Sequence, residues 1–304
     1  MKKHINTKFF KSVPELHRLS GWHKPKHPLF SIVKFEDIPE QVVSERLKWI
    51  ADFYQIVIKQ DASCQLQYGQ SIYDFGDGVM SFFAPKQVAI VEGGKLYSGP
   101  GWLLNIDPQF LQGFSLAQKI KEYGFFEYAV NEALILSEEE AKSIEAIFTQ
   151  IQKEYLLPID KFSQAVILSN IELLLTYCSR YYERQFVVRA PGTQTLLIKF
   201  ERLLNAYFEE PLHDKGLPHV SYFAAALNLS SKYLSDCLKQ LTGETTHQHI
   251  QNKLIEKAKE RLSTTNLSVS EIAFSLGFEH SQSLSKLFKT KTNQTPLEFK
   301  SSLN

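Results

Sequence analysis

Through the first 125 residues the apolar positions come in short runs. YQIVIK (54–59), MSFFAP (80–85), QVAIVEG (87–93) and GWLLNI (101–106) are separated by Gly, Pro and Asp. Runs of this length with frequent breakers predict strands and turns, the pattern of a sandwich or barrel. The period changes near residue 137. SEEEAKSIEAIFTQIQKEYL opens with Ser137 and has Glu140 three residues later, a capping box. Ile144, Ile147, Phe148 and Ile151 then recur at helical spacing, which predicts a helix over about 137–157. A turn at Pro158 and Asp160 precedes a second helix, 163–186, with an apolar stripe through Val166, Ile167, Ile171, Leu174, Leu175, Cys178 and Tyr181. RAPGTQ (189–194) reads as a linker, and from 195 onward the pattern is helical throughout.

The helical third contains a repeat. VSYFAAALNLSSKYLSDCLKQLTG (220–243) lies over VSEIAFSLGFEHSQSLSKLFKTKTN (269–293). Ala224 matches Ala273 and Asn228 matches Gly277, 49 residues on. After one inserted residue, Leu234 matches Leu284, Leu238 matches Phe288, Lys239 matches Lys289 and Thr242 matches Thr292, 50 residues on. Two such copies argue for one supersecondary unit used twice. The unit reads as helix, tight turn, helix. The small Ala224 and Ala273 let two helix backbones cross closely, and Asn and Gly are the residues that most readily enter the left-handed C-cap. Ser230, and His280 or Ser281, would start the second helices. Ser281, Gln282, Ser285, Lys286 and Lys289 are left on the outer face of the second copy, and these amide, hydroxyl and cationic groups suit base edges and phosphates. THQHIQNKLIEKAKERLSTTNLS (246–268) joins the copies as a helix with its stripe at Ile250, Leu254, Ala258 and Leu262, and Ser268 with Glu271 forms a further capping box.

Composition narrows the classes. The 304 residues favour two domains, and 43% hydrophobic with 22% charged residues is an ordinary globular balance. A formal net charge of +1 means that any basic surface is local. Cys64, Cys178 and Cys237 are widely spaced, so no disulfide framework or zinc motif is indicated, and a reducing cytoplasm fits. No apolar run approaches 18 residues, so no membrane span is expected, and MKKHINTKFFKSVPEL makes a poor signal peptide. His4, His17, His23 and His27 all lie in the first 27 residues and segment 54–106 has no histidine, so neither a metal nor another cofactor is expected. YDFGDGVM (73–80) reads as a hairpin turn, and GWHKPKHP (21–28) as a basic arm packed on the strands. Tyr54, Phe82, Phe83, Tyr97 and Trp102 either line a ligand pocket or form plain core.

LNLSSKYLSDCLKQLTG, HIQNKLIEKAKERL and VSEIAFSLGFEHSQSLSKLFKTKTNQTPLEFK resemble, in order, the first helix-turn-helix, the linker helix and the second helix-turn-helix of the AraC/XylS family of transcription regulators. The resemblance covers roughly 195–302. It implies a seven-helix domain that sets one helix of each unit into adjacent major grooves, with Lys232, Ser235, Asp236 and Lys239 presented by the first and Ser281, Gln282, Ser283 and Lys286 by the second; Lys289 continues that face. Asn293 replaces the usual Gly before Thr295 and Pro296. Asp236 stands where many members carry a basic or neutral residue; it repels phosphate, yet can accept from cytosine N4. The N-terminal half resembles more distantly the cupin-like barrel and two dimerising helices of many members, and FFEYAVNEALILSEEE (125–140) and YYERQF (181–186) resemble sensor domains of Bacteroidetes regulators.

The fold expected is therefore α+β: residues 1–190 as a cupin-like sensor and dimerisation domain, and 195–304 as an all-α double helix-turn-helix. The partners expected are double-stranded promoter DNA, a second copy of the chain and a small-molecule effector. No nucleophile, base or phosphate loop supports an enzyme. The other readings are a metal-free cupin enzyme whose helical domain binds a partner, and a DNA-binding protein whose N-terminal half only dimerises.

Overall fold

A computed structural model describes residues 6–43, 47–59, 62–68, 71–75, 78–91, 94–96, 99–129, 132–188, 190–209 and 216–302. It divides into two compact units, Met1–Gln185 and Phe186–Asn304. None of its described helices is long and apolar enough to cross a membrane.

The first unit is mixed α and β. Its strands are β1 (Asn6–Phe10), β2 (Phe30–Lys34), β3 (Gln41–Val43), β4 (Leu47–Ala51), β5 (Tyr54–Lys59), β6 (Ala62–Tyr68), β7 (Ser71–Phe75), β8 (Val79–Phe83), β9 (Val88–Val91), β10 (Gly94–Leu96), β11 (Gly101–Ile106) and β12 (Leu134–Ile135). Helices α1 (Val13–Leu19) and α2 (Leu116–Lys119) interrupt the strand-rich half, which the sequence pattern did not foretell. The described ladders form four sheets: β12-β8-β5-β11-β2, β1-β4-β9, β10-β3 and β6-β7. β7 pairs with β6 while β8 pairs with β5 and β12, so among the described residues β7 and β8 form no ladder with each other; Gly76 and Asp77, the centre of the turn expected at 73–80, lie outside the described residues.

Both faces of the five-stranded sheet are buried, which explains why its strands read as near-continuous apolar runs. Val33, Val57, Phe83 and Leu103 face a cluster with Phe10, Leu16, Trp49 and Phe53. The other face meets α3 (Glu138–Leu156) and α4 (Ser163–Val188). There the Trp102 ring lies 6.0 Å from Phe148, Phe82 lies 6.2 Å from Tyr182, and the Cys178 sulfur is 3.8 Å from that of Met80. Burial pushes the Cys178 thiol pKa up. The capping box read at Ser137 and Glu140 starts α3. The Arg184 guanidinium holds Glu140 at 2.6 Å and donates to the Ile135 carbonyl at 2.8 Å, fixing α4 to α3 and to β12.

A polar chain crosses the sheet on the first of these faces. Asn105 stands directly opposite Gln55 on one side and Ser31 on the other. Trp49 donates to Gln55 at 2.8 Å, Gln55 to Asn105 at 2.8 Å, and Asn105 to Ser31 at 2.9 Å. The Ser31 hydroxyl meets His17 Nε2 at 3.0 Å, and His17 Nδ1 donates to the His23 carbonyl at 2.6 Å. All five side chains are buried, and the run satisfies every member, as a buried polar network must.

The second unit is helical: α5 (Ala190–Glu209), α6 (Val220–Ala226), α7 (Ser231–Thr242), α8 (Thr246–Thr264), α9 (Val269–Ser275), α10 (Ser281–Thr292) and α11 (Pro296–Ser301). Residues 190–194 lie in α5, which begins at Ala190, and not in the irregular linker expected from their Pro and Gly; Arg189 lies outside the described residues. Pro191 falls in the first helical turn, where its missing N–H has no partner to lose.

Candidate nucleic-acid interface

The two copies read from the sequence match bond for bond. After α6, the Leu229 amide donates to the Ala224 carbonyl at 2.8 Å; after α9, Phe278 donates to Ala273 at 3.0 Å. The turn residues Asn228 and Gly277 are both left-handed, with φ of 56° and 83°. Gly277 has a second reason: a Cβ there would stand 2.7 Å from the Gly216 carbonyl carbon. Ala224 and Ala273 are buried, as close crossing requires.

The second helices of the two copies also end alike. Gly243 closes α7 and Asn293 closes α10, left-handed at φ 79° and 60°, each donating to the carbonyl of the lysine four residues back, Lys239 or Lys289. Thr242 and Thr292 bond the carbonyls of Leu238 and Phe288, both at 2.8 Å. Capping boxes then restart the chain at Thr245 with Gln248 and at Thr295 with Glu298. The correspondence therefore runs past Thr292 to Glu298. The hydrogen bonds from Thr295 hold the Glu298 carboxyl below the usual carboxylate range. Ser230 caps α7, whereas His280 stands at the start of α10 without a side-chain cap.

Leu234, Cys237 and Leu238 in α7, and Leu284 and Phe288 in α10, are buried and fix which face each helix turns outward. Beneath them α8 buries Ile250, Leu254, Ile255, Ala258 and Leu262. The Arg261 guanidinium bonds the Ser275 hydroxyl, tying α8 to α9. Lys300 donates to the Leu267 carbonyl at 2.9 Å and the Phe288 and Phe299 rings lie 5.6 Å apart, which seat α11.

The outward faces differ. On α10, Gln282, Ser283, Lys286 and Lys289 are exposed and Ser281 is half-buried; the side chains of the first four make no hydrogen bond or ion pair with another described residue. Ser285 turns back to the Ser281 carbonyl. On α7, Lys239 is exposed, but Lys232 is paired with Asp236 at 2.9 Å. The Ser235 hydroxyl donates to the buried Thr246 at 3.2 Å, so it joins α7 to α8.

The aromatic residues suggested for a pocket do not converge on one. Tyr54 and Phe82 pack against Phe126, at 5.1 and 5.7 Å. Phe83 faces the opposite side of the sheet, with Phe10 and Trp49. Trp102 is buried against Phe148, and Tyr97 lies outside the described residues. A cavity of about 180 Å³ among the described residues of this unit is lined instead by residues from 26–30, Phe110 and the α3–α4 corner. No single sequence motif marks it, because three distant segments build it.

Comparison with known proteins follows the same division. A family profile described as a helix-turn-helix domain matches residues 223–302. The chain is 28% identical over 143 residues to the uncharacterized HTH-type transcriptional regulator YfiF of Bacillus subtilis, covering 47% of this chain and 42% of that protein. It is 40% identical over 78 residues to the raffinose operon transcriptional regulatory protein RafR of Pediococcus pentosaceus, covering 25% and 28%. Among solved structures, the C-terminal domain of the response regulator yesN from Fusobacterium nucleatum is 33% identical, with 33% of this chain and 96% of that one covered and a TM-score of 0.30. An AraC-type regulator from Chromobacterium violaceum is 23% identical, covering 37% and 96%, with a TM-score of 0.33. The chain spans under half the length of these curated relatives. Repeat and profile fall on the same stretch: the C-terminal unit of this chain carries a helix-turn-helix domain over residues 223–302.

Proposed function

We propose that the chain is a one-component regulator that binds promoter DNA as a dimer and answers to a small effector. The observation that carries this reading is the polar and cationic face of α10, whose Gln282, Ser283, Lys286 and Lys289 side chains have no partner among the described residues, held outward by a repeated left-handed stop and capping box. Gln282 and Ser283 read bases, Lys286 reaches a base or phosphate, and Lys289 holds phosphate. α7 is the weaker reader, with Lys239 as its free cation. α8 is the rigid spacer between two helices that enter successive grooves, which recur about every 34 Å along one side of DNA.

Residues 1–190 serve as the cupin-like sensing and dimerising part, and 195–304 as the DNA-binding part, in the cytoplasm. Leu173 and the half-buried Tyr177 lie one turn apart on α4, and Leu173 and the preceding Phe162 are 47% and 59% exposed; Val166, expected in the inward stripe, is likewise half-buried. A second copy covering that face doubles the DNA contacts. The regulators among the curated relatives support this reading, and none of the findings favours the cupin-enzyme alternative.

The test is capture of genomic DNA fragments by the purified full chain at two salt concentrations. Enrichment of a few sites sharing a motif about two major-groove turns long, lost steeply with salt, is the expected result. No capture at low salt sinks the reading.

A further inference from the structure

We infer that the N-terminal unit binds a neutral, single-ring aromatic molecule carrying one hydroxyl, a phenol, in the cavity between β2 and the α3–α4 corner. The inference deepens the regulator reading and rests on it for the ligand's role as effector.

Size sets the first limit. The cavity holds about 180 Å³, and a dry protein cavity of roughly 150 Å³ accommodates benzene. One ring with one or two further heavy atoms fits; a disaccharide or a fatty acid does not. The walls set the second. Phe30 and Phe110 stack at 5.1 Å with 16° between their planes, His27 meets Phe110 edge-on at 5.0 Å, and Tyr155 meets Phe30 edge-on at 5.7 Å. The buried Ile167 completes the apolar lining. Rings arranged in this way favour another ring in offset or edge contact.

Polar groups set the third. His27 Nδ1 accepts from the Leu29 amide at 3.1 Å, which leaves the hydrogen of the neutral imidazole on Nε2 as a donor. Burial lowers the His27 pKa and keeps that ring neutral. Gln164 donates through Nε2 to the Phe110 carbonyl at 2.8 Å, leaving Oε1 as an acceptor. The Tyr155 hydroxyl accepts from the Lys26 amide at 2.7 Å and keeps its own hydrogen as a second donor. Two donors and one acceptor suffice for one hydroxyl, which donates once and accepts through two lone pairs. Charge sets the fourth. Lys26 and Lys161 are balanced by Glu154 and Asp160 in the lining. Lys26 Nζ is already bonded to the Leu156 carbonyl at 2.7 Å, and Asp160 accepts from the Phe162 and Ser163 amides. These four formal charges sum to zero, so the lining carries no net charge to favour a benzoate-like anion or a quaternary ammonium over a neutral ring.

Location gives the site its consequence. Tyr155 lies in α3, Gln164 and Ile167 lie in α4, and Phe30 lies in β2, so a bound ring bridges the sheet and the helical pair.

The test is isothermal titration of the full chain with phenol, benzoate and tetramethylammonium, with the Ile167 methyl signals followed by NMR. Phenol is expected to bind saturably at one per chain, to shift the Ile167 methyls, and to bind about tenfold or more tighter than either ion. Gln164→Met keeps the volume and removes the acceptor, and should weaken phenol about fivefold to tenfold while leaving toluene binding unchanged. Ile167→Trp should abolish binding. Equal binding of the ions, absence of phenol binding, or indifference of phenol to Gln164→Met overturns the proposal. DNA capture by the same preparation separates the two ideas: motif capture without phenol binding sinks the site alone, and phenol binding without DNA capture sinks the regulator alone.

Discussion

Lys232 and Asp236 lie one turn apart on α7 and are joined by an ion pair of 2.9 Å. Fifty residues later, the position of Asp236 is taken by Lys286, whose ammonium has no partner among the described residues. The duplicated scaffold thus presents two faces of different charge: α7 partly cancels its own cation and α10 does not. Lys286→Ala should therefore weaken binding to the specific site by about 1–3 kcal/mol and lower the salt slope by about one. Lys232→Ala should change little, and Asp236→Asn should release Lys232 and raise affinity for non-specific DNA. Fluorescence anisotropy across a salt series checks all three, and a Lys286→Ala protein that binds like the parent removes that residue from the interface.

The turn after α9 is tighter than its counterpart after α6. Gly277 is left-handed and also has the Gly216 carbonyl where a side chain would go, whereas Asn228 carries a side chain at the equivalent place. Gly277→Ala should destabilise the C-terminal unit by roughly 2–4 kcal/mol. Asn228→Gly and Asn293→Gly should each stay within about 1 kcal/mol of the parent, since both positions already use a conformation that glycine adopts freely. Urea unfolding of the three variants gives the comparison, and an undisturbed Gly277→Ala protein contradicts the close approach.

The second unit was legible because its determinants are local. Caps, left-handed stops and the apolar stripe lie within a few residues of one another, and the repeat states them twice, from Ala224 to Thr242 and again from Ala273 to Thr292. The sequence misled only where a residue type has two uses: Pro191 reads as a linker breaker but suits the first turn of α5. The first unit was legible only as alternating strands and two helices. Gln55 and Asn105 sit in YQIVIK and GWLLNI as isolated polar positions, and nothing near them announces that Ser31, Trp49 and His17 complete their bonds. The cavity is hidden for the same reason, since His27, Phe110 and Gln164 meet only in the fold.

α4 keeps an apolar face that its own unit leaves open. Leu173→Glu places a charge there without touching the buried stripe of Ile171, Leu174 and Leu175. If a second copy covers that face, the variant should sediment as a monomer at concentrations where the parent is a dimer. It should also bind a full operator more weakly, with half-site binding unchanged. Secondary structure should remain that of the parent, because Leu173 is exposed in the single chain, while the melting temperature should lose its dependence on protein concentration. A parent protein that is monomeric on DNA would refute the dimer.

The buried chain from Trp49 to His17 makes the stability of the first unit depend on pH. Each member has one role: Gln55 and Asn105 accept and donate in turn, and His17 donates from Nδ1 to the His23 carbonyl while Nε2 receives the Ser31 hydroxyl. That arrangement needs a neutral imidazole. Desolvation lowers the His17 pKa despite the bond to His23, and burial lowers His27 in the same direction. The unfolded chain, with histidines near pKa 6.5, then binds protons that the folded chain refuses. Stability should be at its full value above about pH 6.5. It should decline as the pH falls below that point, by at most about 1.4 kcal/mol per pH unit for the buried His17 and by less for the more exposed, solvent-screened His27, until the folded pKa is reached. His17→Gln removes one of these titrations. Its unfolding free energy should be lower at pH 8 and should fall less steeply between pH 6.5 and 5 than that of the parent. Denaturant unfolding at several pH values checks this, and equal slopes in the two proteins would show that His17 is protonated in the fold.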